Sequence, residues 1–148
     1  MIDGNEYIAI INRFYFFLET EFDFTKRNET INGNVFYDVE FINKEKVVSI
    51  SYENIENHLE VIVFILTDGS MPNYDDKTKT LHLRQLNSLV MPKISIDEIN
   101  SNTACFAKCN ATNEIEQKLL KEAKELRLCL RNFSTLEQLK IDLEKILK

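Results

Sequence analysis

Apolar residues near the start of the chain recur with the period of a helix. Tyr7, Ile11, Phe14 and Leu18 are separated by steps of four, three and four residues, which is the spacing of one helix face. The spacing predicts a helix over residues 6–20. Further apolar residues widen the stripe, so we expect this helix to be largely buried; the alternative is an exposed apolar face that meets a partner.

The period changes to two after a polar stretch at residues 25–34. Side chains alternate over residues 35–42 and again over 47–52, the pattern of strands with one polar face. Residues 59–66 are apolar at nearly every position and rich in β-branched residues, so they predict a central strand that is covered on both faces. The short turns between these segments predict an antiparallel meander.

The second half of the chain favours helices. Residues 81–90 predict a short helix or a strand that runs into one, and residues 94–96 are a candidate edge strand. An apolar stripe over residues 115–130 predicts a long helix whose first turn Asn113 caps together with Glu116.

A second C-terminal helix is predicted from Ser134 onward. Ser134 and Glu137 have the spacing of a capping box, and leucines and isoleucines follow at helical intervals. The whole pattern predicts an α+β fold in one domain, residues 1–148. It comprises an N-terminal helix, an antiparallel meander of three or four strands and a C-terminal helical pair packed on the sheet.

Charge is divided unevenly along the chain and narrows the choice of partner. The net charge is −6, but residues 1–76 hold 15 acidic and 5 basic residues, whereas residues 77–148 hold 9 and 13. Nucleic acid is disfavoured as a partner because phosphate binding needs clustered Lys and Arg. A basic protein partner is more compatible with an acidic half.

The sequence predicts a cytoplasmic protein. Its first six residues carry two acids and no base, unlike the positively charged start of a secretory signal. Its apolar runs are far shorter than the ~20 residues that cross a bilayer, so we expect no membrane partner. Three cysteines, an odd number, indicate free thiols in a reducing compartment.

No motif in the sequence names a reaction. Cys105 and Cys109 are four residues apart and Cys129 is distant in sequence, whereas zinc needs a fourth ligand and usually a closer pair. His58 and His82 are isolated in sequence, and three glycines cannot form a glycine-rich phosphate loop. We therefore expect no metal, no cofactor and no catalytic residues, and binding becomes the favoured class of function.

Acidic residues at predicted turns and helix ends are the candidate partner-binding residues, because partners usually bind at such places. Tyr74 is added because an aromatic ring flanked by acids on a loop can anchor a basic partner. The alternative for each acid is a solvated surface charge. The candidates are Glu21, Asp23, Glu53, Glu56, Tyr74, Asp75 and Asp76.

Five segments follow one another along the chain: FLETEFDF (17–24), YDV (37–39), VSISYE (48–53), LEV (59–61) and GSMPNYD (69–75). Their order resembles that of small bacterial domains that serve as immunity proteins beside polymorphic toxins. The resemblance covers roughly residues 6–90 and implies a cytoplasmic protein that neutralises a toxin by occluding its active site, with no catalytic residues of its own.

Three functional hypotheses follow. The first is a non-enzymatic protein-binding module of this immunity type. The second is a structural protein that pairs with another copy as a homodimer through its apolar N-terminal stripe and terminal helices. The third is a small-molecule binder or enzyme with a pocket between sheet and helices.

Overall fold

The computed structural model describes residues 2–133. Two short helices precede a sheet, and further helices follow it. In chain order these are α1 (Gly4–Phe14), α2 (Phe17–Glu21), β1 (Thr25–Asn32), β2 (Phe36–Ile42), β3 (Lys46–Glu53), β4 (His58–Ile65), β5 (Thr80–His82), α3 (Leu83–Val90), a 3-10 turn (Met91–Lys93), α4 (Ile96–Ala104) and α5 (Glu114–Arg131).

The five strands form one antiparallel sheet in the order in which they occur along the chain. The predicted α+β fold is confirmed, and the sheet has more strands than the three or four expected. β3 occupies the middle position, so the prediction that residues 59–66 form the central strand is wrong in position. β4 is nevertheless interior and is buried from both faces, since Val61 and Val63 lie in one apolar cluster and Ile62 and Phe64 in another.

The main core lies between one face of the sheet and the helices. Its largest fully buried side chains include the tyrosines Tyr7, Tyr37 and Tyr52, and the Tyr7 ring lies 5.5 Å from that of Tyr37 and 6.2 Å from that of Tyr52 by centroid. Buried hydroxyls need partners, and Tyr7 Oη donates to the Ile50 carbonyl at 2.6 Å. The Tyr7 hydroxyl thus ties α1 to β3.

The predicted N-terminal helix is two helices. α1 ends at Phe14, and α2 begins at Phe17 after a turn at Tyr15 and Phe16. The Tyr15 side chain is buried and its hydroxyl donates to the Leu119 carbonyl of α5 at 3.1 Å. The prediction of a buried helix is confirmed for α1, whose Tyr7, Ile11 and Phe14 are fully buried.

β1 was not predicted, because its residues carry almost no apolar pattern. Nearly all of its side chains are exposed, and it is held by backbone pairing with β2. Its Ile31 packs directly against Gly4 of α1, where a Cβ would lie 2.8 Å from Ile31 Cγ2. Glycine at position 4 therefore permits the close approach of α1 and β1.

The predictions for the second half are confirmed in part. Residues 81–90 form a strand that runs into a helix, as expected. Residues 94–96 do not form an edge strand, because Ser95 caps α4 by accepting a hydrogen bond from the Glu98 amide. Asn113 caps α5 in the same way at 2.9 Å, and the helix predicted from Ser134 lies outside the described residues.

Candidate functional site

The sequence-predicted acids lie at two opposite ends of the sheet. The β1–β2 and β3–β4 turns share one end, because alternate connections of an antiparallel meander lie at opposite ends. Glu53 and Glu56 belong to this end. The other end holds the start of β1 and the β4–β5 loop, with the remaining acids: Glu21, Asp23, Asp75 and Asp76.

Glu21 is engaged within the protein. Its carboxylate accepts two hydrogen bonds from the buried guanidinium of Arg127, at 2.7 and 2.6 Å. These hydrogen bonds lower the pKa of Glu21. Arg127 also donates to Asn102 Oδ1 at 2.8 Å, so this carboxylate joins α2 to α4 and α5.

The candidate residues of the β4–β5 loop differ in their contacts and exposure. The Asp76 carboxylate accepts hydrogen bonds from the amide and the hydroxyl of Thr78, at 3.0 and 2.6 Å, and so stabilises the loop. Tyr74 is 60% exposed, and its ring makes an edge contact with the His82 ring. Asp23 and Asp75 have exposed side chains.

Asn54 fixes the two turns at the first end of the sheet. Its backbone amide donates to the Val35 carbonyl at 2.8 Å, and its side-chain amide donates to the carbonyls of Asn34 at 2.7 Å and Ile2 at 3.0 Å. Asn54 is buried and also donates to Tyr37 Oη. The β1–β2 turn, the β3–β4 turn and the N-terminal segment are therefore held in one arrangement.

These turns present apolar side chains to solvent beside acidic ones. Ile55 is 72% exposed and Val35 is 45% exposed. The Glu53 carboxylate accepts hydrogen bonds from the amides of Ile55 and Glu56, at 2.7 and 3.1 Å, which fixes the tip of the β3–β4 turn. We call Ile31, Val35, Glu53, Ile55 and Glu56 the hairpin-tip surface.

The surroundings of the hairpin-tip surface are also acidic. Asp3 and Glu6 lie at the N-terminus of α1, next to Ile2, which accepts hydrogen bonds from Asn54. A groove of about 330 Å³ runs from Glu6 past Tyr52 to Glu114 at the start of α5. This end of the molecule therefore carries negative charge from three separate elements.

A second concave site lies between β4, α3 and α5. β5 pairs only with residues 62–64 of β4, so among residues 2–133 no strand lies beside residues 58–61 of β4 on that side. α3 and α5 flank this free edge and enclose a cleft of about 420 Å³, which we call the β4–α5 cleft. Its lining comprises Asn57, His58, Leu59, Glu60, Val61, Leu83, Arg84, Asn87, Lys118, Lys121, Glu122 and Glu125.

Glu60, which lines this cleft, contacts both histidines of the chain. Its Oε2 lies 3.3 Å from His58 Nε2, and its Oε1 contacts His82 Nδ1. His58 and Glu60 project from the same face of β4, and His82 lies beside them because β5 pairs His82 with Ile62. The sheet thus brings together two residues that are isolated in sequence.

Glu122 has the most perturbed carboxyl group of the cleft. Burial, followed by the charges of Glu125 and Glu60, raises its pKa to about 7, against the smaller opposing effect of Lys121 and Arg84. Its Oε2 is buried and has no hydrogen-bond partner among residues 2–133. Perturbed acids in clefts are typical of functional sites.

The cysteines do not gather around a ligand position. Cys105 is exposed, whereas Cys129 is buried, and burial with Glu125 nearby raises the pKa of its thiol to about 12. Within residues 2–133, no group of three or more His, Cys, Asp or Glu residues is arranged to hold a metal ion.

Within residues 2–133, no helix is long and apolar enough to cross a membrane.

The chain was compared with known proteins, and no family model, no curated protein and no solved structure matched it. The resemblance to immunity proteins therefore stays a prediction from the sequence.

Sequence reasoning missed the β4–α5 cleft. Its carboxylates and its histidine, His58, come from β4 and α5, which are distant in sequence, and Glu122 lies on a helix among ordinary surface Lys and Glu residues. The only local signal was Glu60, the single charged residue in the apolar run of β4. A buried run interrupted by one carboxylate indicates that the carboxylate has a partner.

Proposed function

We propose that this chain is a non-enzymatic protein-binding module that recognises a basic protein, most concretely a bacterial immunity-type protein that neutralises a toxin by occlusion. The observation that carries the proposal is the hairpin-tip surface. Two turns tied together by Asn54 expose Val35 and Ile55 beside Glu56. Apolar side chains on a rigid support lose little entropy on binding.

The charge at this end supports a basic partner. Glu6 and Glu114 line a groove that reaches Asn57, in the same turn as Ile55 and Glu56, and Lys118 is the basic residue of that lining. Such a field accelerates encounter with a basic protein and disfavours acidic ones. An apolar centre with a charged rim is also the usual composition of a protein interface.

The test is binding to the products of the genes that flank its own. Each product is co-expressed with the chain, and the affinity of any complex is measured by calorimetry at two salt concentrations. We expect one basic product to bind, with an affinity that falls as salt rises. For the immunity-type function, co-expression is expected to relieve growth arrest caused by that product.

A matched pair of variants locates the interface. Ile55→Lys is expected to weaken the complex by about tenfold or more, because it places a cation in the apolar centre against a basic partner. Ile96→Lys is the control, since Ile96 on α4 is equally exposed, at 74%. Failure of every flanking product to bind, or equal affinity of the two variants, contradicts the proposal.

A further inference from the structure

A groove lies between the end of α1 and the segment that follows α4, and we call it the α1–α4 groove. Residues 12–14, 16, 104, 105 and 107–110 line it. Its volume is about 550 Å³, which lies in the range of small-ligand sites. None of its lining residues belongs to the hairpin-tip surface or to the β4–α5 cleft.

The turn between α1 and α2 brings an aromatic side chain to this groove. Phe16 lies in that turn and is 36% exposed. Its ring makes edge contacts with the rings of Phe17 and Phe106, at 6.1 and 5.7 Å by centroid, so the ring is held in place. Ala104 and Ala107 on the facing segment carry only methyl groups, which leaves room for an apolar ligand beside Phe16.

The segment after α4 forms a wall of tight turns. The amides of Phe106, Ala107 and Cys109 donate to the carbonyls three residues earlier, at 3.0, 3.2 and 2.9 Å. The Phe106 side chain is buried in the main core and anchors the segment there. Both walls of the groove are therefore formed before a ligand arrives, which reduces the entropy lost on binding.

The charge of the groove is opposite in sign to that of the chain. Its lining holds two bases, Arg13 and Lys108, and no Asp or Glu, whereas the chain has a net charge of −6. Lys108 is exposed and has no ion pair within residues 2–133.

Arg13 has one acidic neighbour, which does not cancel this charge. Glu116 Oε1 lies 3.4 Å from Arg13 Nη2, and the Arg13 side chain is 59% exposed. The other carboxylate oxygen of Glu116 accepts hydrogen bonds from Thr112. Even with Glu116 counted, the two bases leave an excess of positive charge at the groove, and an anion complements it.

We propose that the α1–α4 groove binds a small amphipathic carboxylate, namely a free fatty acid of medium chain length. Arg13 and Lys108 hold its carboxylate, and Phe16 and the two alanines contact its alkyl chain. Bonds between a guanidinium or ammonium group and a carboxylate are the strong class of hydrogen bond, and removal of the alkyl chain from water adds a hydrophobic contribution. A basic protein is repelled by this groove, so this ligand differs from the partner of the proposed function.

Octanoate tests the proposal by NMR titration of the amide resonances of the wild-type chain. Two controls each carry one half of the ligand: acetate has the charge without the alkyl chain, and octanol has the chain without the charge. We expect octanoate to shift the resonances of Arg13, Phe16 and Lys108 with a dissociation constant of about 1 mM or below. Each control should bind at least tenfold more weakly.

Affinity should also rise with the length of the alkyl chain. Among hexanoate, octanoate and decanoate, each extension by two methylene groups is expected to raise the affinity about fourfold, because an open groove buries about half of each added group. Equal affinities of the three acids would show that the alkyl chain does not contact the groove, and this result would overturn the proposal.

Two double variants with the same change in net charge separate the groove from the charge of the whole chain. We expect Arg13→Gln/Lys108→Gln to weaken octanoate binding by about tenfold or more, because both cations are lost. Lys44→Gln/Lys77→Gln removes the same charge from exposed positions outside the groove and should bind as the wild type does. Equal affinities of the two double variants would contradict the assignment.

Other occupants of the groove give different results. A second copy of the chain would shift the groove resonances as the protein concentration rises, without added ligand. An acidic segment of another protein would be represented by acetyl-Glu-Leu-Leu-Glu-amide. Either of these results without octanoate binding overturns the proposal, as does the absence of any octanoate-induced shift at up to about 5 mM.

The groove is tested independently of the hairpin-tip surface. Ile55 does not line the groove, so Ile55→Lys is expected to leave octanoate binding unchanged. Loss of protein binding and loss of fatty-acid binding can therefore be observed separately.

Discussion

At the scale of single residues, Glu122 makes stability depend on pH in an unusual direction. Most acids in folded proteins are stabilised in their charged form, but burial and neighbouring carboxylates raise the pKa of Glu122 to about 7. The folded state therefore binds the proton more tightly than the unfolded state does. The stability contributed by the neutral form is complete below pH 4.5 and is lost as pH rises through 7.

Glu122→Gln is expected to stabilise the protein at alkaline pH. The full shift corresponds to roughly 3 kcal/mol, and because the side chain is only half-buried we expect a gain of about 2 kcal/mol at pH 8. At pH 4 the gain should be close to zero, since the wild-type carboxyl is then neutral in both states. Urea unfolding at the two pH values measures the difference.

The control for this prediction is Glu114→Gln on the same helix. Glu114 is exposed, so its replacement should change the free energy of unfolding little at either pH. A gain of Glu122→Gln that is the same at pH 4 and pH 8 would show that charge burial is not its cause.

Single residues also show where sequence reasoning about the site stopped. Acids at turns were expected to face solvent, and Glu56 is exposed. This expectation could not distinguish Glu56 from Glu53, whose carboxylate binds two amides of its own turn, or from Glu21, which binds Arg127. Whether an acid is free depends on partners that lie elsewhere in the fold.

At the scale of elements, Arg127 holds three helices together. From α5 it donates to both oxygens of Glu21 on α2 and to Asn102 on α4. Asn102 in turn donates to the Lys124 carbonyl of α5 at 3.0 Å. A buried guanidinium with several partners leaves them all unpaired when it is removed.

Arg127→Leu is expected to lower the free energy of unfolding by about 3 kcal/mol at pH 7, because Glu21 and Asn102 lose their partner. Arg131→Leu is the matched control on the same helix. Its guanidinium is half-exposed and lies 3.8 Å from Glu98, so its loss should cost less than about 1 kcal/mol. Urea unfolding of both variants measures the difference.

The pH dependence of Arg127→Leu checks the same interaction. The pKa of Glu21 is lowered by Arg127, so the stability from this pair is present above the ordinary Glu pKa and is lost as pH falls. The cost of Arg127→Leu should therefore shrink in acid. Equal costs for Arg127→Leu and Arg131→Leu would contradict the linking role of Arg127.

Elements were predictable where burial leaves a periodic pattern. β2, β3, β4 and α5 each bury one or two faces and were found from their apolar residues. β1 buries almost no side chain, so no pattern existed to find. The break between α1 and α2 was hidden because Phe14 and Phe17 on either side of it are buried, as is Tyr15 within it.

At the scale of the whole molecule, the β4–α5 cleft depends on contacts between elements that are distant in sequence, and local patterns do not contain these contacts. His58 and His82 both contact Glu60 because β5 pairs with residues 62–64 of β4 and so places His82 beside Ile62. Among the described residues, no strand lies beside residues 58–61 of β4 on that edge. α3 and α5 then close over that free edge. The pairing register of β4 and β5 decides which residues lie together at this cleft, and the sequence alone does not show that register.

The free edge of β1 is the other consequence of the sheet order. Within the described part of the chain, residues 2–133, β1 pairs with β2 on one side only, and its eight residues are almost all exposed. Free edges invite pairing with another chain, and charged residues on them oppose it. Here Lys26 bonds Asn12 at 2.6 Å and Glu29 at 2.7 Å, and Arg27 lies at a bulge.

We therefore expect the charged edge to keep the chain monomeric and the double variant Lys26→Thr/Arg27→Thr to self-associate. Thr favours strands and removes the repulsion between two like-charged edges. Light scattering after size exclusion should show a mass that rises with concentration for this variant. Lys44→Thr/Lys77→Thr is the control, because it removes the same charge from exposed positions outside β1. Association of the control as well would assign the effect to net charge, and a wild-type dimer would favour the homodimer hypothesis instead.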